Sequence, residues 1–289
     1  MYTVSLIARP DGLDQTLVRE LSDAWSGGAV HWLSPEEAAE FTVNAAPENL
    51  WQIWEKAQAE GVDLVLQQTQ GRRKSMLLAD MDSTMIGQEC IDELADEAGV
   101  GDHVKDITAR AMNGELDFEA ALIERVGLLK GLDAGIIQQV FEERITFTPG
   151  GKTLIATMAA NGGYAALVSG GFTAFTARVA TALGFDEHRA NTLLEENGAL
   201  TGEVGRPILG REAKVEALRA IAKARGLTPQ KVIAVGDGAN DLGMLGLAGA
   251  GVALHAKPAV AAECDIRINH GDLRALLYLQ GYRRDQFVE

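Results

Sequence analysis

Positive charge is scarce in this sequence. It sets 26 Lys and Arg against 41 Asp and Glu, a net charge of −15. Nucleic acid as the main partner is thereby excluded, because phosphate backbones are held by clustered Lys and Arg. A phosphorylated small molecule is not excluded, since one bound cation inverts the field of an acidic site. Cysteine is nearly absent. Cys90 and Cys264 have no Cys or His at metal-ligand spacing, so no zinc site is expected and both read as free thiols. Long apolar runs are missing too: none could cross a bilayer. The first residues, Met1 to Arg9, carry no basic start, long apolar segment or cleavage site. Together these point to a cytoplasmic protein with neither membrane nor nucleic acid as partner. There are no internal repeats or low-complexity tracts. What is there is 289 residues, 47% of them hydrophobic, enough for one or two domains with a proper core.

The first 70 residues read as a separate module. Strand patterns at 3–8, 30–33, 40–44 and 62–67 are interleaved with helical patterns at 13–25 and 48–59. The order βαββαβ is the split βαβ, or ferredoxin-like, arrangement. Gln68 to Lys74 is polar and basic without apolar periodicity, and reads as a linker whose charges face solvent. From 71 to 289 the pattern is a second domain. Strands are expected at 75–80, 164–168, 232–235, 251–254 and 266–268, and helices at 152–160, 172–183, 211–225, 242–248 and 273–280. Asn197-Gly198 marks a hairpin within 191–206. Such alternation implies an α/β fold, a mostly parallel sheet with helices on both faces. One block breaks it: 88–143 is helical throughout, interrupted by glycines at 101, 114, 131 and 135. Inserted after the first strand of the sheet, this block (about 88–145) would sit above the strand ends as a cap.

Two strand ends carry the chemistry. Met76-Leu77-Leu78-Ala79 runs into Asp80-Met81-Asp82-Ser83-Thr84, and Val232-Ile233-Ala234-Val235 runs into Gly236-Asp237-Gly238-Ala239-Asn240-Asp241. In a parallel sheet both ends lie on one carboxyl edge, where open α/β folds bind ligands. Asp80 and Asp82, two apart, point to the same side while the strand conformation continues. One carboxylate can then attack phosphorus while the other moves a proton. Alone, Asp80 would read as a helix N-cap or turn residue; recurrence of an acidic motif on a later strand is what favours chemistry. Thr84 is expected to bond nearby backbone or Asp82. Asp237 would share a magnesium ion with Asp80, and Asp241 would stand in the outer shell. Ser169-Gly170-Gly171, at a strand-to-helix junction, offers a hydroxyl and free N–H groups to a phosphoryl oxygen. Lys214 could neutralise that group as a point charge.

Asp80-x-Asp82-x-Thr84, Ser169, Lys214 and Gly236-Asp237-Gly238-Ala239-Asn240-Asp241, in that order, resemble the four motifs of the haloacid dehalogenase superfamily. The cap with Glu89-Cys90-Ile91-Asp92 at its start and Phe118 and Arg125 further in resembles that of the phosphoserine phosphatases, as do Val168-Ser169-Gly170-Gly171-Phe172 and Leu200-Thr201-Gly202. The resemblance covers about 75–285. It implies a Rossmann-like sheet, Mg2+, and hydrolysis of O-phospho-L-serine, the last step of serine biosynthesis. It implies Asp80 as nucleophile, Asp82 as proton donor, and Asp80, Asp82 (through its backbone carbonyl) and Asp237 as metal ligands. Ser169, Gly170, Lys214 and Asn240 would contact phosphate or substrate. Glu89 and Arg125 would pair with the ammonium and carboxylate of the amino acid, and Phe118 would shield the closed site. The N-terminal module resembles ACT-type regulatory domains, whose amino-acid sites lie at strand–helix loops such as Pro10-Asp11-Gly12 and at dimer faces; a homodimer is among the arrangements this allows. Two other readings stand beside the main one. The same chemistry could serve another small phosphomonoester or transfer phosphate to a second alcohol. Alternatively, the chain could be an amino-acid sensor on an inactive phosphatase scaffold.

Overall fold

The structure, a computed structural model, describes residues 1–112 and 115–289; the helix break expected at Gly114 lies outside them. The N-terminal part runs β1 (Tyr2–Ala8), α1 (Gln15–Ala24), β2 (His31–Ser34), β3 (Ala38–Val43), α2 (Leu50–Ala59) and β4 (Val62–Gln68). Its sheet is antiparallel in the order β2-β3-β1-β4, the ferredoxin-like topology the sequence pattern implies. Period-two alternation on β1 sends Val4 and Leu6 to the helices and Ile7 to the opposite face.

The larger part begins with β5 (Met76–Ala79) and continues through α3 (Cys90–Glu97), α4 (Gly101–Met112), α5 (Phe118–Gly127), α6 (Ile136–Glu143) and α7 (Gly151–Ala160). Then come β6 (Tyr164–Phe172), α8 (Thr173–Leu183), β7 (Glu187–Asn191), the hairpin β8 (Leu193–Glu196) and β9 (Ala199–Val204), and α9 (Arg211–Ala224). The chain closes with β10 (Val232–Gly236), α10 (Leu242–Leu247), β11 (Ala250–Leu254), α11 (Pro258–Ala262), β12 (Ile266–Ile268) and α12 (Ala275–Leu279). Six strands form one parallel sheet in the order β12-β11-β10-β5-β6-β7. Strands buried on both faces need side chains that pack two ways. Leu77, Ala79, Ile233 and Val235 face the core shared with α7, α8 and α12, while Met76, Leu78, Val232 and Ala234 face α9 and α10.

Three features depart from the sequence reading. The strand at the far edge, β7, was not expected. Its residues Glu187-His188-Arg189-Ala190-Asn191 are mostly polar because the edge strand pairs on one side only. Ser169-Gly170-Gly171 is part of β6, which runs on to Phe172 through a register shift, rather than following the strand. And 68–74 is no solvated linker. Arg72 donates to Glu40 at 2.7 Å, the Arg73 guanidinium stacks 3.9 Å from the Tyr282 ring centre, and Lys74 donates to the Gln230 carbonyl at 3.0 Å. The stretch is a seam because both parts need it. Ile7, Leu33, Ala38 and Val65 on the outer face of the small sheet pack into one cluster with Leu276, Tyr278 and Leu279 of α12. The outer face of the small sheet is therefore largely covered by the chain's own C-terminal helix.

Candidate active site

Sheet register builds the site. Ala79 of β5 stands level with Val235 of β10 and with Leu167 of β6. The next residues along each strand therefore emerge together at the carboxyl edge: Asp80, Gly236-Asp237 and Val168-Ser169. From β5 the chain moves outward to β6 and β7, then returns to place β10 on the other side of β5 and continues to β11 and β12. The crevice between β5 and β10 is thus the point where strand order reverses, where such sheets bind ligands. Asp80 and Asp237 flank it.

Oxygens of Asp80, Asp237 and Asp241 lie within 4.8 Å of one another, and all three residues are buried. Lys214, buried on α9, donates to Asp80 at 2.7 Å and to Asp241 at 2.6 Å. The second oxygen of Asp241 accepts the N–H groups of Asp237 (3.2 Å) and Gly238 (3.1 Å). Gly236 has no side chain because a Cβ there would collide with the Asp241 carboxylate. Asp241 is therefore spent on the protein. Asp80 and Asp237 keep oxygen lone pairs for something else. Asp237 accepts from Thr84 at 3.2 Å and from Lys257 at 3.3 Å. This corrects the expectation for Thr84, which reaches across to β10 rather than to its own loop; a fully buried hydroxyl takes the carboxylate that faces it.

Asp82 curls toward the N-terminus of α3 and accepts the Cys90 N–H at 3.2 Å. Burial pushes its carboxyl up to about 6, against hydrogen bonds from Cys90 that pull it down. Burial likewise lifts Asp80 well above the ordinary range, helped by Asp241 and opposed by Lys214. Asp237 rises to about 7 through burial and the charges of Glu89 and Asp241. Glu89 rises to about 7 through burial and Asp82, although Ser83 donates to it at 2.6 Å. For Lys214 burial works downward, but Asp241 and Asp80 outweigh it and raise its pKa. Burial is the largest cause of each carboxyl's rise, and like-charged neighbours add to it. Hard oxygen donors short of positive charge suit a divalent ion such as magnesium.

Cap helices roof this edge. Glu89, Ile91, Phe118, Leu122 and Arg125 from above and Asp80, Asp82, Ser169, Gly170 and Asn240 from below line a cavity of about 30 Å³. A Cβ on Gly170 would stand 2.7 Å from the Phe118 ring, so glycine there lets the cap press on the strand end. Ser169 accepts from the Gly171 N–H at 2.9 Å, leaving its proton for a ligand. The Asn240 carbonyl oxygen is buried with no partner among the described residues. Arg125, 2% exposed, donates to the Ala121 carbonyl and the Thr108 hydroxyl. The catalytic, metal-ligand and substrate candidates singled out from the sequence thus gather at one edge, whereas Pro10-Asp11-Gly12 of the N-terminal module lines other cavities. The sequence reading gave no role to Lys257, Ser83, Thr108 or Asp92, although Ser83 and Asp92 stand within the stretches that carry the resemblance. For Lys257 a signal was present, a basic residue just past the apolar strand β11; the others announce themselves only once the cap helices are packed.

A family model for haloacid dehalogenase-like hydrolases matches residues 77–246. A phosphoserine phosphatase of Archaeoglobus fulgidus is 43% identical over 223 residues, 76% of this chain and 64% of its own length. The chain thus spans just under two thirds of that relative. A phosphoserine phosphatase of Lactococcus lactis is 45% identical over 204 residues, 71% of this chain and 94% of its own length. The crystal structure of a hydrolase of the same superfamily from Salmonella enterica serovar Typhi superposes with a TM-score of 0.86 at 30% identity, covering 96% of this chain and 97% of that one. Motif order, strand-end geometry and these matches agree: the chain belongs to the haloacid dehalogenase-like hydrolase family.

Proposed function

We propose that this protein is a magnesium-dependent phosphatase that hydrolyses O-phospho-L-serine to L-serine and phosphate. One observation carries the choice of substrate: Arg125, a buried guanidinium without a carboxylate partner among the described residues, and Glu89 line the same cavity as Asp80. A guanidinium fork suits a carboxylate and a carboxylate suits an ammonium, so the pair reads an amino acid at both ends. Two relatives named phosphoserine phosphatase support the reading.

In the proposed reaction an Asp80 oxygen attacks phosphorus, forming an aspartyl phosphate as the serine oxygen leaves with a proton from Asp82. Asp82 then takes a proton from water, whose oxygen attacks the same phosphorus and frees Asp80 and phosphate. A carboxyl poised at about 6 can give and take that proton near neutrality. Ser169, the Gly170 backbone, Lys214 and Asn240 would hold the phosphoryl oxygens, and Phe118 would exclude water. Asp80, the Asp82 carbonyl and Asp237 would hold magnesium, which supplies charge stabilisation to the phosphoryl group. A cavity of about 30 Å³ is too small for the substrate, so the cap lifts for entry. It would do so on the two connecting segments bridged at Ile86 and Phe147, where the Gly87 N–H donates to the Thr146 carbonyl at 2.9 Å. We take 1–70 and 71–289, with the cap at about 88–145, as working domains, and the cytoplasm as the setting that suits two buried free thiols. A screen of purified protein with Mg2+ against phosphomonoesters tests the reading. O-phospho-L-serine should be hydrolysed with far higher kcat/KM than generic esters; equal rates would refute the assigned substrate.

A further inference from the structure

Arg125 presents a problem of charge. It is buried, and burial works against its protonated form. An acidic neighbour placed directly on the guanidinium would relieve this, but it would also fill the fork that a substrate carboxylate needs. The cap resolves this through an intermediate. Arg125 Nη1 on α5 donates to the Thr108 hydroxyl on α4 at 2.9 Å. That hydroxyl lies 2.6 Å from Asp92 Oδ1 on α3 and 3.0 Å from the Val104 carbonyl of its own helix. It has one proton, and the short contact to a carboxylate is the stronger claim on it. Arg125 Nε is tied to the Ala121 carbonyl at 3.0 Å. Two of its nitrogens, Nε and Nη1, are therefore held by protein, and Nη2 has no protein acceptor among the described residues and is left to the cavity that Arg125 lines.

We propose that Thr108 and Asp92 are positioning residues for substrate specificity: a hydroxyl relay brings the charge of Asp92 to Arg125 and aims its open edge at the substrate carboxylate. Neither residue lines the cavity, and each acts through Arg125. Thr108 is 3% exposed and bonded on both sides, so few rotamers are open to it. The inference rests on the proposed reading of Arg125 as the carboxylate partner.

The test uses the full chain with Mg2+ and two substrates, O-phospho-L-serine and p-nitrophenyl phosphate, which has no amino-acid end. Thr108→Val keeps the shape and removes the hydroxyl. We expect KM for O-phosphoserine to rise about tenfold or more, while kcat/KM for the aryl phosphate changes by less than about threefold. Thr108→Ser should restore KM to within about threefold of the parent, and Asp92→Asn should reproduce the selective loss in weaker form. Equal losses on both substrates, or no loss on either, overturn the relay. A crystal structure of Thr108→Val supplies a readout that does not depend on activity: the guanidinium should swing away from its place beside Ala121, and an unmoved guanidinium overturns the proposal. If the parent enzyme shows no preference for O-phosphoserine, the functional reading fails, while this structural readout still decides the relay.

Discussion

Two buried aspartates in this molecule do opposite things. Asp63 lies at the seam between β4 and the end of β12 and is fully buried. Its carboxylate accepts the N–H groups of Asn269 (2.8 Å), His270 (3.0 Å) and Gly271 (2.8 Å), with the Gln58 amide at 3.3 Å. Asp80, at the end of β5, is almost as buried, yet Lys214 is its one hydrogen-bond donor among the described residues, and two further carboxylates crowd it. Burial alone thus separates nothing. Asp63 is saturated and joins two parts of the fold, whereas Asp80 is short of donors, which suits its proposed role toward a cation and a phosphoryl group.

Substitutions should divide along that line. Asp80→Asn is expected to lower kcat on O-phosphoserine by about a thousandfold or more, since it removes the proposed nucleophile. Its metal-free melting temperature should not fall, because a crowded charge has gone. A steady-state assay beside a thermal melt checks both. Arg125→Ala should lower kcat/KM for O-phosphoserine by about a hundredfold, the size of a lost charged hydrogen bond of about 3 kcal/mol, and hydrolysis of an aryl phosphate far less. Equal loss on both would make Arg125 a scaffold residue. Asp63→Asn should do the reverse of Asp80→Asn: cost about 1–3 kcal/mol in denaturant unfolding while the folded enzyme keeps its kcat.

The smallest expected effect is on pH. Asp82 at about 6 and Glu89 and Asp237 at about 7 bind protons in the folded, metal-free protein that the unfolded chain has already released above about 4.5. The folded state then carries more protons, so stability falls as pH rises from about 4.5 to 7.5. Melts of chelator-treated protein should show a melting temperature a few degrees lower at pH 8 than at pH 5.5. A melting temperature that rises over this range would contradict the donor deficit.

The starved site was legible in the sequence and the saturated one was not. Asp80, Asp82 and Asp237 stand at the ends of apolar strands, and strand, turn and acid are local patterns. Asp63 finds its donors in residues 269–271, far along the chain, and nothing in β4 itself signals them. The βαββαβ order was legible because each element has its own periodicity; the packing of its outer face against α12 was not, because β1 reads the same whether that face meets water or protein. β7 escaped because a polar edge strand has no apolar alternation to detect. Thr84 was assigned the wrong partner because its neighbour in sequence, Asp82, turns away to the Cys90 N–H while Asp237 arrives from β10.

Magnesium binding measured by thermal shift tests the central claim most directly, on the parent, Asp237→Asn and Asp63→Asn proteins. At about one hundred times the dissociation constant, Mg2+ should stabilise the parent by about 2.7 kcal/mol, a rise of about 5 °C or more. Asp63→Asn should start lower and rise by the same amount, and Asp237→Asn should barely respond. A parent that ignores Mg2+, or an Asp237→Asn protein that gains as much as the parent, would contradict the account.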